Sequence, residues 1–103
     1  MDKAEVIKSV KQYAEILKQN FDVKQVILYG SYSDESAQPD SDIDVAVILD
    51  RVDGDYLMME AKLYRLKRDV DFRIEPVLLE ESSDKSGFLE QILKYGEIVY
   101  SSE

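Results

Sequence analysis

Apolar positions along the chain switch between two periods. From Asp2 to about Asn20 they recur at helical spacing, as Ile7, Val10, Ala14, Leu17 and Phe21, with lysines and glutamines between them. Asp2 stands where an N-cap is needed, and Glu5 three residues on makes a capping box. Val23 to Tyr29 is then a short run of Val, Ile, Leu and Tyr, the pattern of a strand, stopped by Gly30. Ile43 to Leu49 is a second and more continuous apolar run, as expected in the middle of a sheet covered on both faces. The segment between the two is too long for a tight hairpin. It holds Gly30, Ser31, Ser33, Ser36 and Pro39, which predicts a loop with one short helical turn.

Asp53-Gly54-Asp55 is a turn signal, and Tyr56 to about Arg68 reads as a helix with Leu57, Ala61 and Tyr64 as its buried stripe. Lys62, Arg65, Lys67 and Arg68 give it a basic C-terminal half, which complements the helix dipole. Val70 to Leu79 alternates as a third strand, with Val70, Phe72 and Ile74 on one face and Asp71, Arg73 and Glu75 on the other. Pro76 predicts an edge, a bulge or the strand's end. Ser82-Ser83-Asp84 supplies cap residues for a short helix from Phe88 to Tyr95, stopped by Gly96, and Glu97 to Tyr100 reads as a last short strand. This order predicts an α/β or α+β fold: a small mixed sheet of three to four strands flanked by helices.

The length of 103 residues fits one domain, spanning 1–103, with a core small enough for a partner or self-association to supplement it. Composition narrows the chemistry. With neither cysteine nor histidine, thiolate and imidazole metal sites are excluded, and so is the commonest general base. A bound metal must be held by oxygen, which points to magnesium, manganese or calcium. The net charge of −9 disfavours direct binding to nucleic acid and suits a basic protein partner. No apolar run approaches a membrane span and the N-terminal segment is acidic and amphipathic, so the expectation is a soluble cytoplasmic protein.

Against this background one placement needs a reason. Asp42 and Asp44 lead directly into the apolar run Val45-Ala46-Val47-Ile48-Leu49. Side chains two apart on a strand share a face, with Cα atoms roughly 6–7 Å apart. Two anions there repel and resist burial, and a divalent cation between them removes both objections. Magnesium is commonly held by one or two carboxylates, with phosphate oxygens and water completing its shell. Gly30-Ser31, ahead of them in the chain, lets backbone approach a phosphate closely. An EF-hand counted from Asp40 fails, because Val45 and Arg51 stand where glycine and glutamate are required. Asp71 is the candidate third carboxylate if the second and third strands are neighbours; Asp69 and Glu75 are its alternatives, and an ion pair with Arg73 or Arg68 is the plain structural reading of Asp71.

The stretch "GSYSDESAQPDSDIDVAVIL" resembles the signature of the minimal nucleotidyltransferases (MNT proteins) of the DNA-polymerase-beta-like superfamily. Gly30, Ser31, Ser41, Asp42, Ile43 and Asp44 fall on the pattern, and Asp71 in "RDVDFRIEPVLL" matches the family's third carboxylate. The resemblance implies the polymerase-beta-like nucleotidyltransferase fold. It also implies two magnesium ions on Asp42, Asp44 and Asp71, and a nucleoside triphosphate held by Gly30 and Ser31. The reaction implied is transfer of a nucleoside monophosphate, AMP from ATP, to a hydroxyl. Relatives of this size pair with a helical HEPN protein as the antitoxin of a toxin–antitoxin system, and some modify a tyrosine of that partner. One departure bears on activity. Where many relatives carry a basic residue and a second glycine after Gly-Ser, this chain has Asp34 and Glu35. That reversal keeps a second reading open, an MNT-fold binding module that masks a HEPN-like partner with weak or no catalysis.

Overall fold

The computed structural model describes residues 3–30, 41–52, 54–83 and 87–102. Its elements are α1 (Lys3–Asn20), β1 (Val23–Tyr29), β2 (Ile43–Leu49), α2 (Tyr56–Lys67), β3 (Ile74–Glu80), α3 (Phe88–Tyr95) and β4 (Glu97–Ser101). The four strands form one sheet in the order β3-β2-β1-β4. β1 runs antiparallel to both β2 and β4, whereas β2 and β3 are parallel, so the sheet is mixed as expected. Pro76 lies in β3, at the sheet's edge, where a missing N–H is tolerated. The expected capping role of Asp2 and the helical turn between β1 and β2 lie outside the described residues.

The continuous apolar run of β2 has the cause anticipated for it. Ile43, Val45, Val47 and Leu49 face α1 and α2, and Ala46 and Ile48 face α3, so both sides are covered. Full burial of each Val, Ile or Leu among them stabilises the fold by roughly 1.5–3 kcal/mol. The first of these alternate positions on the α3 face is Asp44, which makes it the one charged member of an otherwise apolar row.

Four sequence expectations are corrected. On α1 the fully buried residues are Val6, Val10, Tyr13, Ala14 and Leu17, while Ile7 and Phe21 only flank the core. The helix is rotated toward Tyr13, whose buried hydroxyl donates to the Leu63 carbonyl at 2.7 Å and ties α1 to α2. On α2 the buried side is Leu63, with Met59, Leu66 and Val70 packed beside it, and the expected stripe of Leu57, Ala61 and Tyr64 faces outward. Leu57 is 72 % exposed. Asp55 caps this helix, accepting from the Leu57 and Met58 backbone N–H groups. The third strand starts at Ile74, four residues later than its alternation suggested. Val70 and Asp71 donate back to the Lys67 carbonyl, and the Asp71 carboxylate accepts from the Arg73 N–H, so the chain turns here.

α3 has the expected limits, but its N-cap is Gly87 in the left-handed region. Ser82 and Ser83, expected as caps, lie instead in the turn after β3, and Asp84, the third of them, lies outside the described residues. Among the described residues no helix is long and apolar enough to cross a membrane.

Candidate active site

The candidate residues meet where β1 ends and β2 begins. The antiparallel register sets Tyr29 opposite Asp44. Both lie on the α3 face, since their strand neighbours Ile27, Ala46 and Ile48 form the α3 cluster. Immediately beyond Tyr29 the chain takes a left-handed step at Gly30, with φ +75°. A Cβ at Gly30 would collide with Asp44 Oδ2. The glycine therefore serves two needs at once: a positive φ, and clearance for a carboxylate packed against the backbone. Ser31 lies outside the described residues, and Ser41 is half-buried just before β2.

Electrostatics mark Asp44 as the uncomfortable member. Burial, then the nearby carboxylates of Asp42 and Glu75, hold its carboxyl above the usual range. Tyr29 is pushed up to about 12, first by burial and then by Asp44 and Tyr64. Asp42 itself is exposed at the mouth of the strand.

The neighbouring strand brings a further acid to this junction. β2 and β3 are adjacent and parallel, and their register sets Glu75 directly beside Asp44. Its carboxylate is held loosely, accepting from the Tyr64 hydroxyl at 3.3 Å and lying 3.7 Å from Lys67 Nζ. Asp71 is placed differently. It sits in the turn ahead of β3, and its two oxygens take Arg73 Nε at 3.2 Å and Nη2 at 2.9 Å. The hydrogen bond from Arg73 holds the Asp71 carboxyl below the usual carboxylate range, outweighing the opposing effect of burial. Asp69 is exposed. The Arg73 carbonyl accepts from Ile43 N–H at 2.9 Å, so this turn abuts the backbone that carries Asp42 and Asp44.

Among the described residues no three acidic side chains are gathered closely enough to hold a metal ion by themselves. The pair Asp42 and Asp44 is nonetheless the kind of partial oxygen set on which magnesium binds together with phosphate oxygens. The repulsion felt at Asp44 is what a cation would remove, so the residues fit.

Beside Gly30 and on the same face lies a cleft of about 170 Å³ between the end of β1 and α3. Tyr29, Phe88 and Tyr95 line it together with Gln91 and Gly96. Tyr29 and Phe88 meet edge to face, with ring centroids 5.8 Å apart. Sequence reading assigned no role to Tyr29. The available signal was its position at the end of the strand that delivers Gly-Ser, in step with Ile27.

A family model described as "Polymerase beta, Nucleotidyltransferase" matches residues 11–103. The chain belongs to this family. Within it, the chain is similar to the "Putative protein adenylyltransferase MJ0141" of Methanocaldococcus jannaschii, with 30 % identity over 101 residues that cover 93 % of this chain and 97 % of the relative. Its fold is shared with a crystal structure of a putative nucleotidyltransferase from Sulfolobus solfataricus, at a TM-score of 0.73 and 16 % identity, covering 97 % of this chain and 84 % of the other. A second neighbour is a crystal structure of a toxin–antitoxin with AMP-PNP, at a TM-score of 0.64 and 20 % identity, covering all of this chain and 76 % of that one. A four-stranded sheet flanked by helices is thus the polymerase-beta nucleotidyltransferase architecture, and the Gly30–Asp44 junction is where this member brings its acids and its glycine together.

Proposed function

We propose that the protein is a magnesium-dependent nucleotidyltransferase that moves AMP from ATP to a protein hydroxyl, a tyrosine of a helical HEPN-type partner, and so acts as an antitoxin. The observation that carries this reading is the Gly30–Asp44 junction, where a left-handed glycine and a half-buried carboxylate leave no room for even a methyl group. Support for the finer terms comes from the relative named as a protein adenylyltransferase and from the fold shared with a toxin–antitoxin carrying AMP-PNP.

In this reading Asp42 and Asp44 hold the metal ions, and Glu75 completes the set because the parallel register puts it beside Asp44. Asp71, the sequence candidate, serves only if its fork with Arg73 opens. Gly30 and Ser31 cradle the triphosphate, with Ser41 at the mouth of β2. The acceptor oxygen forms a bond to the α-phosphorus, the α–β bridging P–O bond breaks, and pyrophosphate leaves. The acceptor's proton passes to the β3 carboxylate. Magnesium, when bound, supplies the positive charge that lowers the acceptor's pKa and offsets charge on the phosphoryl oxygens.

A second reading, a binding module that masks its partner without catalysis, draws on two observations. Asp34 and Glu35 replace the basic residue and glycine of relatives, and Arg73 closes over Asp71. Substitution separates the readings. With ATP, magnesium and the partner, Asp44→Asn and Glu75→Gln should lower AMP transfer by at least about 100-fold, the size of a lost transition-state contact, and Asp71→Asn by much less. Equal neutralisation of the partner by wild type and variants, with no AMP transferred, would establish the binding module.

A further inference from the structure

We propose that the cleft between the end of β1 and α3 seats the nucleobase of the nucleoside triphosphate, with Tyr29 and Tyr95 as its aromatic walls and Gln91 reading the base edge. The inference rests on the nucleotidyl-transfer reading and adds a base subsite to it. Three features of the cleft point the same way. It shares Gly30 with the carboxylate junction, so a ligand there adjoins Asp44, one of the acids proposed to hold the metal. Its volume of about 170 Å³ falls below the roughly 300–1,000 Å³ of drug-sized sites and suits one planar ring system. Its walls are aromatic, and Tyr95 is 70 % exposed although it is a large ring next to a cleft.

The helix explains how the walls are aligned. Phe88, Gln91 and Tyr95 fall at i, i+3 and i+7 of α3, on one side, while Leu89 and Ile92 are buried against the sheet. Gly96 closes the helix at the only spacing the sheet allows: a Cβ there would stand 2.6 Å from Ile27 Cγ2 and 2.6 Å from the Ile92 carbonyl oxygen. α3 is thus pinned at a fixed height above β1, and the distance between Tyr29 and the α3 stripe is set by the fold. A glutamine amide offers a donor and an acceptor side by side, which matches the paired donor and acceptor on the edge of a base such as adenine. The ring of an acceptor tyrosine has no such edge, so the base is the occupant favoured by Gln91.

Binding by the full-length protein tests this, with magnesium present, using ATP, tripolyphosphate and adenosine as probes. Tyr95→Ala should weaken ATP about 5- to 100-fold, the effect of one lost stacking partner. It should leave tripolyphosphate unchanged, and Tyr95→Phe should bind ATP like wild type. Gln91→Leu should reduce the preference among the four nucleoside triphosphates. ATP and millimolar adenosine should both shift the ring proton resonances of Tyr29, Phe88 and Tyr95, and tripolyphosphate should not. Equal ATP affinity in wild type and Tyr95→Ala, with no ring shifts, would overturn the proposal. So would a Tyr95→Ala variant that binds ATP normally but has a raised KM for the protein acceptor, because the cleft would then take the acceptor's ring. ATP binding through the cleft without any AMP transfer would refute the proposed function and leave the base subsite standing.

Discussion

Asp44 carries a folded-state penalty, because its carboxylate is half-buried beside Asp42 and Glu75. Its carboxyl is held above the ordinary range, so the folded state takes up a proton more readily than the unfolded chain. The sign follows: this group's contribution to stability falls as pH rises from the unfolded value near 4 through the raised folded value, and stays unfavourable at neutral pH. Asp71 works the other way, its lowered value contributing stability above the unfolded pKa that is lost as pH falls. Asp44→Asn is therefore expected to raise the melting temperature at pH 7 by about 1–4 °C while removing activity, and the gain should vanish below about pH 4, where both side chains are neutral. Melting curves of the two proteins across pH check this. Gly30→Ala should destabilise by on the order of 1–3 kcal/mol and displace the Asp44 carboxylate, seen as loss of magnesium-dependent stabilisation by ATP. The residues of this junction were legible because Gly-Ser and Asp-x-Asp are local patterns whose spacing carries their meaning. The acid beside Asp44 on the next strand was not: Asp69, Asp71 and Glu75 are all reasonable by sequence, and only the β2–β3 register, a non-local quantity, sets Glu75 there.

At the scale of elements, the helix limits and those of β1 and β2 followed from periodicity, and the helix rotations and the start of β3 did not. β1 and β2 have the limits that their apolar runs predicted. α2 offered two stripes at helical spacing, one through Leu57, Ala61 and Tyr64 and one through Met59, Leu63 and Leu66. Packing against α1 decided between them, through Tyr13, a residue that a hydrophobic pattern undervalues because of its hydroxyl. The third strand was placed four residues early because Val70 and Phe72 alternate in step with Ile74, yet Val70 packs with α2 and Phe72 is 79 % exposed. Tyr13→Phe isolates the contact that sets the rotation. It removes the hydroxyl donor to Leu63 and should cost about 0.5–1.5 kcal/mol, lowering the melting temperature by roughly 3–10 °C. Burial has already pushed the Tyr13 hydroxyl well above its ordinary pKa, so it remains a donor at all ordinary pH values. A thermal shift near zero would mean that α1 and α2 are held by apolar packing alone.

For the molecule as a whole, the sheet divides the work. Among the described residues α1 and α2 bury the larger cluster on one face, and α3 covers the smaller one on the other, with a cleft beside the acids. The net charge of −9 agrees with a basic protein surface as the acceptor and disfavours a nucleic-acid backbone. That balance predicts that raising salt from about 50 to 300 mM weakens association with the proposed partner, because screening shortens the reach of these charges to about a Debye length. Titration calorimetry at the two salt concentrations would measure it. Intact-mass spectrometry of the proposed helical HEPN-type partner, after incubation with ATP and magnesium, tests the transferase reading. An added AMP on the partner with wild-type protein, absent with Asp42→Asn and with Asp44→Asn, is the result expected. An unchanged partner mass alongside full neutralisation by all three proteins would contradict it.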